Sequence, residues 1–176
     1  MSLEASRSWG RWSKFMTGTG IDIGCKNTAL PNCQSWDTEQ GDAQYMTTIP
    51  DESFDWVASF HCLEHLRDPQ VALTNWWRIL KPGGYLIVYV PDEDLYERGV
   101  WPPHFNPDHK ATFTISKQDS WSPVSYNVLD MISLLTRPFT IYSLQLRDTD
   151  FDYTIGPEVD QSGHAETTIE IVLKKS

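Results

Sequence analysis

Short apolar runs with the length of buried strands alternate with helical patterns in the first half of the chain, and this alternation limits the folds it can adopt. The runs are residues 20–24, 35–37, 54–60 and 85–90. Strands that alternate with helical segments are typical of βαβ units, in which successive strands lie parallel. We therefore expect an α/β fold built on a mostly parallel sheet.

One helix can be predicted together with both of its ends. Asp68 supplies an N-cap, and Pro69 suits the first helical position. Apolar residues then recur at spacings of three and four, as on one buried face of a helix: Leu73, Trp76, Trp77 and Leu80. The run Lys81-Pro82-Gly83-Gly84 should end the helix, because proline cannot continue it.

The remaining segments are less regular. A loop that contains several Pro and His residues covers 91–112, a helix is predicted near 126–135, and strands are predicted near 140–146 and 167–173. Two strands that follow a helix indicate an antiparallel hairpin at one sheet edge. At the start of the chain, Trp9, Trp12 and Phe15 are spaced along one helical face, so residues 1–17 are predicted to form a helix or a lid.

Composition narrows the class of protein. The 176 residues, 40% of them hydrophobic, suffice for a single domain over residues 1–176. Lys and Arg number 14 against 24 Asp and Glu, and the net charge of −10 would repel a nucleic-acid backbone. Cys25, Cys33 and Cys62 form no CxxC pair, and no apolar stretch approaches the roughly 20 residues of a membrane span. We expect a reduced, soluble, cytoplasmic protein with no nucleic-acid or membrane partner.

Polar residues follow the predicted strands at the places where parallel sheets bind ligands, beyond the carboxyl ends. Asp22 and Gly24 close the first strand, and the glycine allows close backbone approach to a ligand. Asp37 follows the second strand and is suited to accept hydrogen bonds from two ribose hydroxyls. Asp42 offers a second carboxylate for an adenine amino group, and residues 59–61 lie where the far end of a nucleoside ligand would reach.

Several of these segments together carry a family resemblance. They are Gly24-Cys25-Lys26-Asn27-Thr28-Ala29-Leu30-Pro31, Asp37, Gly41-Asp42-Ala43, the run from Ile49 to Asp55, Leu63-Glu64-His65-Leu66, Asp68-Pro69, and the run from Leu80 to Gly84. In this order they resemble the type-11 family of class I S-adenosylmethionine (SAM)-dependent methyltransferases. The resemblance covers about residues 20–95 and is strongest to the compact branch in which a GCGN-x-x-x-P loop replaces the first helix.

The resemblance implies a three-layer Rossmann-like methyltransferase fold with a seven-stranded sheet whose last strand is reversed. It implies SAM as cofactor and S-adenosylhomocysteine as product, bound by residues 20–95, with the acceptor side formed by residues 96–176. By position, the methionine part would be lined by Asp22, Gly24, Cys25 and Lys26, the ribose by Asp37, and the adenine by Asp42 and Ala43. Phe60, His61 and His65 would border the transferred methyl group.

Lys26 departs from the family pattern, which usually has glycine at this position. A side chain here either pairs with the cofactor carboxylate or strains the turn and weakens cofactor binding. We favour pairing. If cofactor binding is lost, the alternative function is a non-catalytic, methyltransferase-like binding or scaffold domain.

The acceptor side offers candidate bases but no acceptor motif. In-line displacement needs a nucleophile held close to the methyl group, and a hydroxyl acceptor also needs a base. His61, His104 and His109 are the candidates for that base. His104 and His109 lie in an aromatic-rich stretch with Trp101, Phe105 and Trp121, which is either an acceptor pocket or a hydrophobic lid. No motif of DNA- or amide-directed enzymes is present, which favours a small-molecule or saccharide-type acceptor.

Two other enzyme classes fit the sequence less well. Gly18, Gly20 and Gly24 imitate a dinucleotide-binding pattern, but Gly20 must lie inside the first strand, so a nicotinamide enzyme is disfavoured. His61, Glu64 and His65 match an H-x-x-E-H zinc pattern, which requires both histidines on one helix face. Here the pattern straddles a strand end and a loop, so we expect no metal.

Overall fold

The computed structural model describes residues 9–26 and 28–176. Residues 9–12 are helical, and short helical turns cover Ser13–Phe15, Leu63–His65 and Glu93–Glu97. The two longer helices are α1 (Pro69–Ile79) and α2 (Val128–Ser133). The strands are β1 (Gly20–Ile23), β2 (Gln34–Trp36), β3 (Phe54–Phe60), β4 (Leu80–Pro91), β5 (Thr112–Thr114), β6 (Ser125–Asn127), β7 (Phe139–Arg147) and β8 (Thr168–Lys175).

Six of these strands form one sheet in the order β2-β1-β3-β4-β8-β7. Strands β1 to β4 pair in parallel, whereas β8 is antiparallel to both of its neighbours, β4 and β7. The prediction of an α/β fold with a mostly parallel sheet and a reversed last strand is confirmed. The final hairpin is also present, with β7 rather than β8 at the edge because β8 inserts beside β4.

The expected seventh strand does not occur in the described residues. It would fall between β2 and β3, where residues 37–53 form only turns and bends. Turn-forming residues such as Gly41 and Pro50 interrupt this segment, and its apolar side chains are too scattered for a strand. The prediction of seven strands is therefore wrong for the part of the chain described.

Each face of the sheet is covered by a different part of the chain. On one face, Trp76 and Trp77 of α1 are buried in the main core against Ile21 and Ile23 of β1. On the other face, residues 9–16 pack over β3 and β4, where Met16 joins Trp56 and Tyr89 in a second cluster. Residues 1–17 are predicted from the sequence to form a helix or a lid. Residues 9–16 of this segment lie against the sheet, and residues 1–8 lie outside the described residues.

Helix α1 begins as the sequence predicts. The Asp68 carboxylate accepts a hydrogen bond from the Val71 N–H at 3.0 Å, and Pro69 is the first helical residue. The helix ends one residue earlier than expected, because Leu80 already pairs with Phe54 of β3. With 11 residues α1 is far shorter than a bilayer-crossing helix, and no described helix is long and apolar enough to span a membrane.

Candidate active site

The strand register brings the predicted ligand-binding residues to one edge of the sheet. Ile23, the last residue of β1, lies opposite both Trp36 of β2 and Ser59 of β3. The three strands therefore end at the same level, and the chain leaves each of them beside the other two. Gly24, Asp37 and His61 follow at this edge. This is the carboxyl end of the parallel strands, where open α/β sheets bind their ligands.

Two adjoining cavities at this edge form what we call the cofactor groove. Their volumes are about 190 Å³ and 400 Å³, and both are lined by Gly24, Lys26 and His61. Each of the ten residues predicted to bind the cofactor lines one or both cavities: Asp22, Gly24, Cys25, Lys26, Asp37, Asp42, Ala43, Phe60, His61 and His65. The structure thus brings the whole predicted set together.

The groove is shaped by the turn at Gly24. This residue has a φ of +78°, and a Cβ added to it would lie 2.4 Å from Cys62 Cβ. Its N–H donates to the Trp36 carbonyl at 2.8 Å, which ties the turn to β2. Only glycine fits both the backbone angle and the contact with Cys62.

Asp22 holds a buried carboxylate at the floor of the groove, with only 2% of the residue exposed. Its Oδ2 accepts a hydrogen bond from the Leu30 N–H at 2.8 Å, whereas its Oδ1 is buried with no hydrogen-bond partner. Burial raises the pKa of this carboxyl to about 6, although the bond from Leu30 opposes the shift. A buried oxygen without a donor is suited to receive one from a ligand.

Asp37 fixes the backbone on the opposite side of the groove. Its Oδ1 accepts from the Thr38 N–H at 2.8 Å and its Oδ2 from the Lys26 N–H at 2.7 Å. The first of these bonds contributes most to lowering the pKa of Asp37, so the carboxylate is ionised at neutral pH. Lys26 is exposed and has a φ of +50°, a left-handed conformation that disfavours side chains. The bond to Asp37 therefore stabilises the unusual turn at Lys26.

Asp42 and Ala43 lie in the same 400 Å³ cavity as Asp37. The Asp42 Oδ1 accepts from the Gln44 N–H at 2.7 Å in a tight local turn. The Ala43 carbonyl accepts from Trp76 Nε1 of α1 at 2.9 Å, so the buried helix positions this loop. The two carboxylates and the turn at Gly24 converge on one cavity, as expected for a nucleoside-binding cleft.

A third cavity, which we call the loop cavity, adjoins the groove and has a volume of about 230 Å³. Its lining is Lys26, His61, Glu64, His65, Tyr96, Asn106, His109 and Ser162. Lys26 and His61 line it together with both cavities of the groove. A ligand in the loop cavity would therefore lie next to the end of a ligand in the groove.

Three histidines surround the buried carboxylate of Glu64 at this junction. The nearest nitrogens lie at 3.4 Å (His61 Nδ1), 3.9 Å (His65 Nε2) and 4.0 Å (His109 Nε2) from Glu64 Oε1. Burial opposes the ionisation of Glu64, but the histidines outweigh it and lower the pKa of this carboxyl. His109 is itself buried, and its Nδ1 lies 2.6 Å from Glu97 Oε1.

Two other residues of the aromatic-rich stretch, His104 and Trp121, do not line the loop cavity. His104 is exposed, packs on Phe105 with ring centroids 3.8 Å apart, and lines none of the three cavities. Trp121 is 37% exposed and donates to Asp94 at 3.0 Å. Of the three candidate bases, only His61 and His109 are brought to the junction.

Sequence reasoning missed Glu64 in the loop cavity and two residues that hold His109 in place, Glu97 and Lys110. Glu64 belongs to the H-x-x-E-H pattern, but it was assigned no role in the site from the sequence. Its position between His61 and His65 was the one sequence feature that could have indicated such a role. Glu97 and Lys110 gave no signal, since both meet the site only through the path of the loop. The Lys110 N–H donates to the Glu64 carbonyl at 2.7 Å and so fixes the neighbouring His109.

Comparison with known proteins agrees with this geometry. A sequence profile described as a methyltransferase domain of type 11 matches residues 5–88. The ubiquinone biosynthesis O-methyltransferase of Pseudomonas entomophila is 29% identical over 161 residues, covering 79% of this chain and 67% of that protein.

Solved structures share the fold at low identity. The YcgJ protein of Bacillus subtilis superposes with a TM-score of 0.60 at 14% identity, covering 97% of this chain and 99% of that one. A SAM-dependent methyltransferase from Archaeoglobus fulgidus gives a TM-score of 0.57 at 18% identity, covering 98% and 93%.

The fold, the groove and these relatives define the chain as a class I SAM-dependent methyltransferase, an enzyme whose cofactor is SAM. Within that class, the profile match over residues 5–88 supports the type-11 family. The placement of the chain in the compact GCGN-x-x-x-P branch stays a prediction.

Proposed function

We propose that this enzyme methylates a hydroxyl oxygen of a small molecule held in the loop cavity, with the cofactor in the groove and His61 as general base. The observation that carries the proposal is the position of His61, whose side chain lines the groove and the loop cavity alike. A base must lie within reach of the proton it removes, and the proton is removed where the two ligands meet.

The residues of the groove fit the cofactor in charge and shape. Asp22 would receive the ammonium of the methionine part through its buried, unpartnered Oδ1. Asp37 would accept from the ribose hydroxyls and Asp42 from the adenine amino group. Gly24 leaves room where any larger residue would meet Cys62. When bound, SAM supplies a methyl group already activated by its sulfonium.

Lys26 completes the groove in a way that suits a cofactor with a carboxylate. Its backbone is held by Asp37, and its side chain is exposed at the rim that all three cavities share. We propose that the ammonium of Lys26 pairs with the cofactor carboxylate, in place of the glycine usual in the family.

Two features support a small hydroxyl-bearing acceptor. The loop cavity holds about 230 Å³ and has Tyr96 stacked on His109 at 5.0 Å in its wall, which suits a ring of modest size. A saccharide-type or phenolic ring would both fit this description. The curated relative from Pseudomonas entomophila is an O-methyltransferase, which favours oxygen as the methylated atom.

The acceptor class can be tested before the acceptor is identified. The purified chain is incubated with SAM labelled in its methyl group and a cell extract separated into small-molecule and macromolecular fractions. We expect label in the small-molecule fraction, in a form that resists the alkaline hydrolysis that removes methyl esters. Label found only in protein or nucleic acid would contradict the proposal.

Two variants test the role of His61. His61→Ala should lower transfer about 100-fold or more, as expected for loss of a general base. His104→Ala is the matched control, because His104 is exposed and lines none of the three cavities. Both variants should bind S-adenosylhomocysteine like the wild type within a fewfold. Undiminished transfer in His61→Ala would refute the assignment.

A further inference from the structure

We propose that Glu64, His65 and His109 form a binding site for a divalent first-row transition-metal ion, best matched by zinc. One ligand atom from each residue lies within 4.8 Å of the other two. Two imidazoles and one carboxylate are a ligand set that zinc takes in catalytic sites, where a further position stays open. The sequence predicts no metal here because His61 and His65 do not share a helix face, but the fold replaces His61 with His109, which the later loop brings to Glu64.

The first independent observation is the state of Glu64. The residue is 0% exposed, and neither carboxylate oxygen has a hydrogen-bond partner. Burial of an ionised carboxylate is costly unless it is paired or bound to a metal. The histidines nearest to it stand at 3.4 to 4.0 Å, beyond the range of good hydrogen bonds. A cation between them would satisfy the carboxylate at short range.

The second observation is the orientation of both imidazoles. His65 Nδ1 lies 3.0 Å from Asp108 Oδ2, and His109 Nδ1 lies 2.6 Å from Glu97 Oε1. In each ring a carboxylate therefore engages Nδ1, and Nε2 is the nitrogen on the side of Glu64. Metal-binding histidines are typically held in this way, because a carboxylate on one nitrogen fixes the tautomer that presents the other to the metal.

The ligand atoms lie farther apart than those around a bound zinc ion. Ligand atoms at about 2.0 to 2.1 Å from a tetrahedral zinc ion lie about 3.3 Å apart. Glu64 Oε1 lies 3.9 Å from His65 Nε2 and 4.0 Å from His109 Nε2, and all three ligand atoms lie within 4.8 Å of one another. All three side chains, the two imidazoles included, would move toward the ion when it binds. The remaining coordination position would face the loop cavity, which Glu64, His65 and His109 all line.

The use of the ion rests on the proposed function. A divalent cation beside the acceptor would attract its hydroxyl oxygen and lower the pKa of that hydroxyl, so that His61 could remove the proton more easily. This makes the acceptor a molecule with an oxygen placed to reach the ion, and it makes His109 a ligand rather than a base. The ion binding itself does not require SAM or an acceptor.

The test is titration of the full chain, first treated with a chelator, with zinc chloride and with cobalt chloride in the absence of SAM. We expect one equivalent of zinc to bind, and cobalt to give the intense visible bands of four- or five-coordination. His65→Ala and His109→Ala should each weaken zinc binding at least tenfold. Glu97→Gln should weaken it 10- to 100-fold, as loss of an orienting carboxylate does elsewhere.

His104→Ala and His164→Ala are the controls, because both residues are exposed histidines outside the cluster. They should bind zinc like the wild type. Absence of stoichiometric binding, a cobalt spectrum like that of the hydrated ion, or unchanged affinity in His65→Ala and His109→Ala would overturn the proposal. Circular dichroism and urea denaturation report whether the variants fold. Methyl transfer by a chain that binds no metal would leave the proposed function standing.

Discussion

Replacement of Asp22 by Asn should stabilise the cofactor-free enzyme while it weakens cofactor binding. Burial raises the pKa of this carboxyl to about 6, from an ordinary value of 3.8. The unfolded chain therefore ionises at lower pH than the folded chain, so ionisation favours unfolding. The stabilising contribution of the neutral carboxyl is complete below the unfolded pKa and is lost as pH rises through the folded pKa.

The two pKa values fix the size of this effect. The carboxyl of Asp22 costs the fold about 3 kcal/mol at pH 7, where it is mostly ionised in both states, and about 2 kcal/mol at pH 5, where the folded carboxyl is mostly protonated. Asn carries no charge and so does not bear this cost, and its side-chain oxygen can still accept the hydrogen bond from the Leu30 N–H. Its buried NH₂ group would lack a partner, which offsets part of the gain in stability. The stability advantage of Asp22→Asn should therefore shrink by about 1 kcal/mol between pH 7 and pH 5.

Urea denaturation at both pH values measures this advantage, and calorimetry with S-adenosylhomocysteine measures binding. We expect affinity to fall at least tenfold at pH 7, because a charge-assisted bond to the ammonium is lost. Asp119→Asn is the control, since Asp119 is exposed. An advantage that does not change with pH, or a variant that binds the cofactor product normally, would refute the reasoning about Asp22.

Three other substitutions test the groove and its support. Gly24→Ala should destabilise the fold by about 2 kcal/mol or more in urea denaturation and weaken cofactor binding, because the added Cβ meets Cys62 and the φ is left-handed. Equal stability would contradict the turn assignment. Lys26→Met should weaken S-adenosylhomocysteine binding about tenfold but leave methylthioadenosine binding unchanged, because only the former carries the carboxylate; an equal loss for both would contradict pairing. Asp68→Ala should lower the unfolding free energy by about 1 kcal/mol through loss of the α1 cap, with methyl transfer intact. A neutral effect on stability would mean that the cap contributes nothing.

The cofactor half of the site was accessible from sequence because its signals are local. Gly24, Asp37 and Asp42 each follow a strand or a turn that can be recognised from a few neighbouring residues. Parallel strands end at one edge, so knowing the strands was enough to bring these side chains together. The pairing of β1 with β2 and β3 confirms that the three strands end beside one another.

The acceptor side was decided by contacts distant in sequence. His109 meets Glu64 only because the loop is hydrogen-bonded back to the Glu64 carbonyl through Lys110. No periodicity or short motif encodes such a contact. His104 lies in the same aromatic-rich loop as His109, and yet it is exposed. The seventh strand, absent from the described residues, was predicted wrongly for a different reason. The family resemblance gives the usual number of strands, but it does not show that residues 37–53 contain too many turn-forming residues to make a strand.

The α/β class, the helix α1 with its cap and the residues at the strand ends can all be read from the chain before it folds, because local backbone preferences and burial patterns specify these features. The burial of Glu64 among three histidines, two of them oriented by carboxylates, becomes visible only in the folded chain. That arrangement depends on the path of a loop across the edge of the sheet, and such a path is set by packing and long-range hydrogen bonds rather than by the residues of the loop alone.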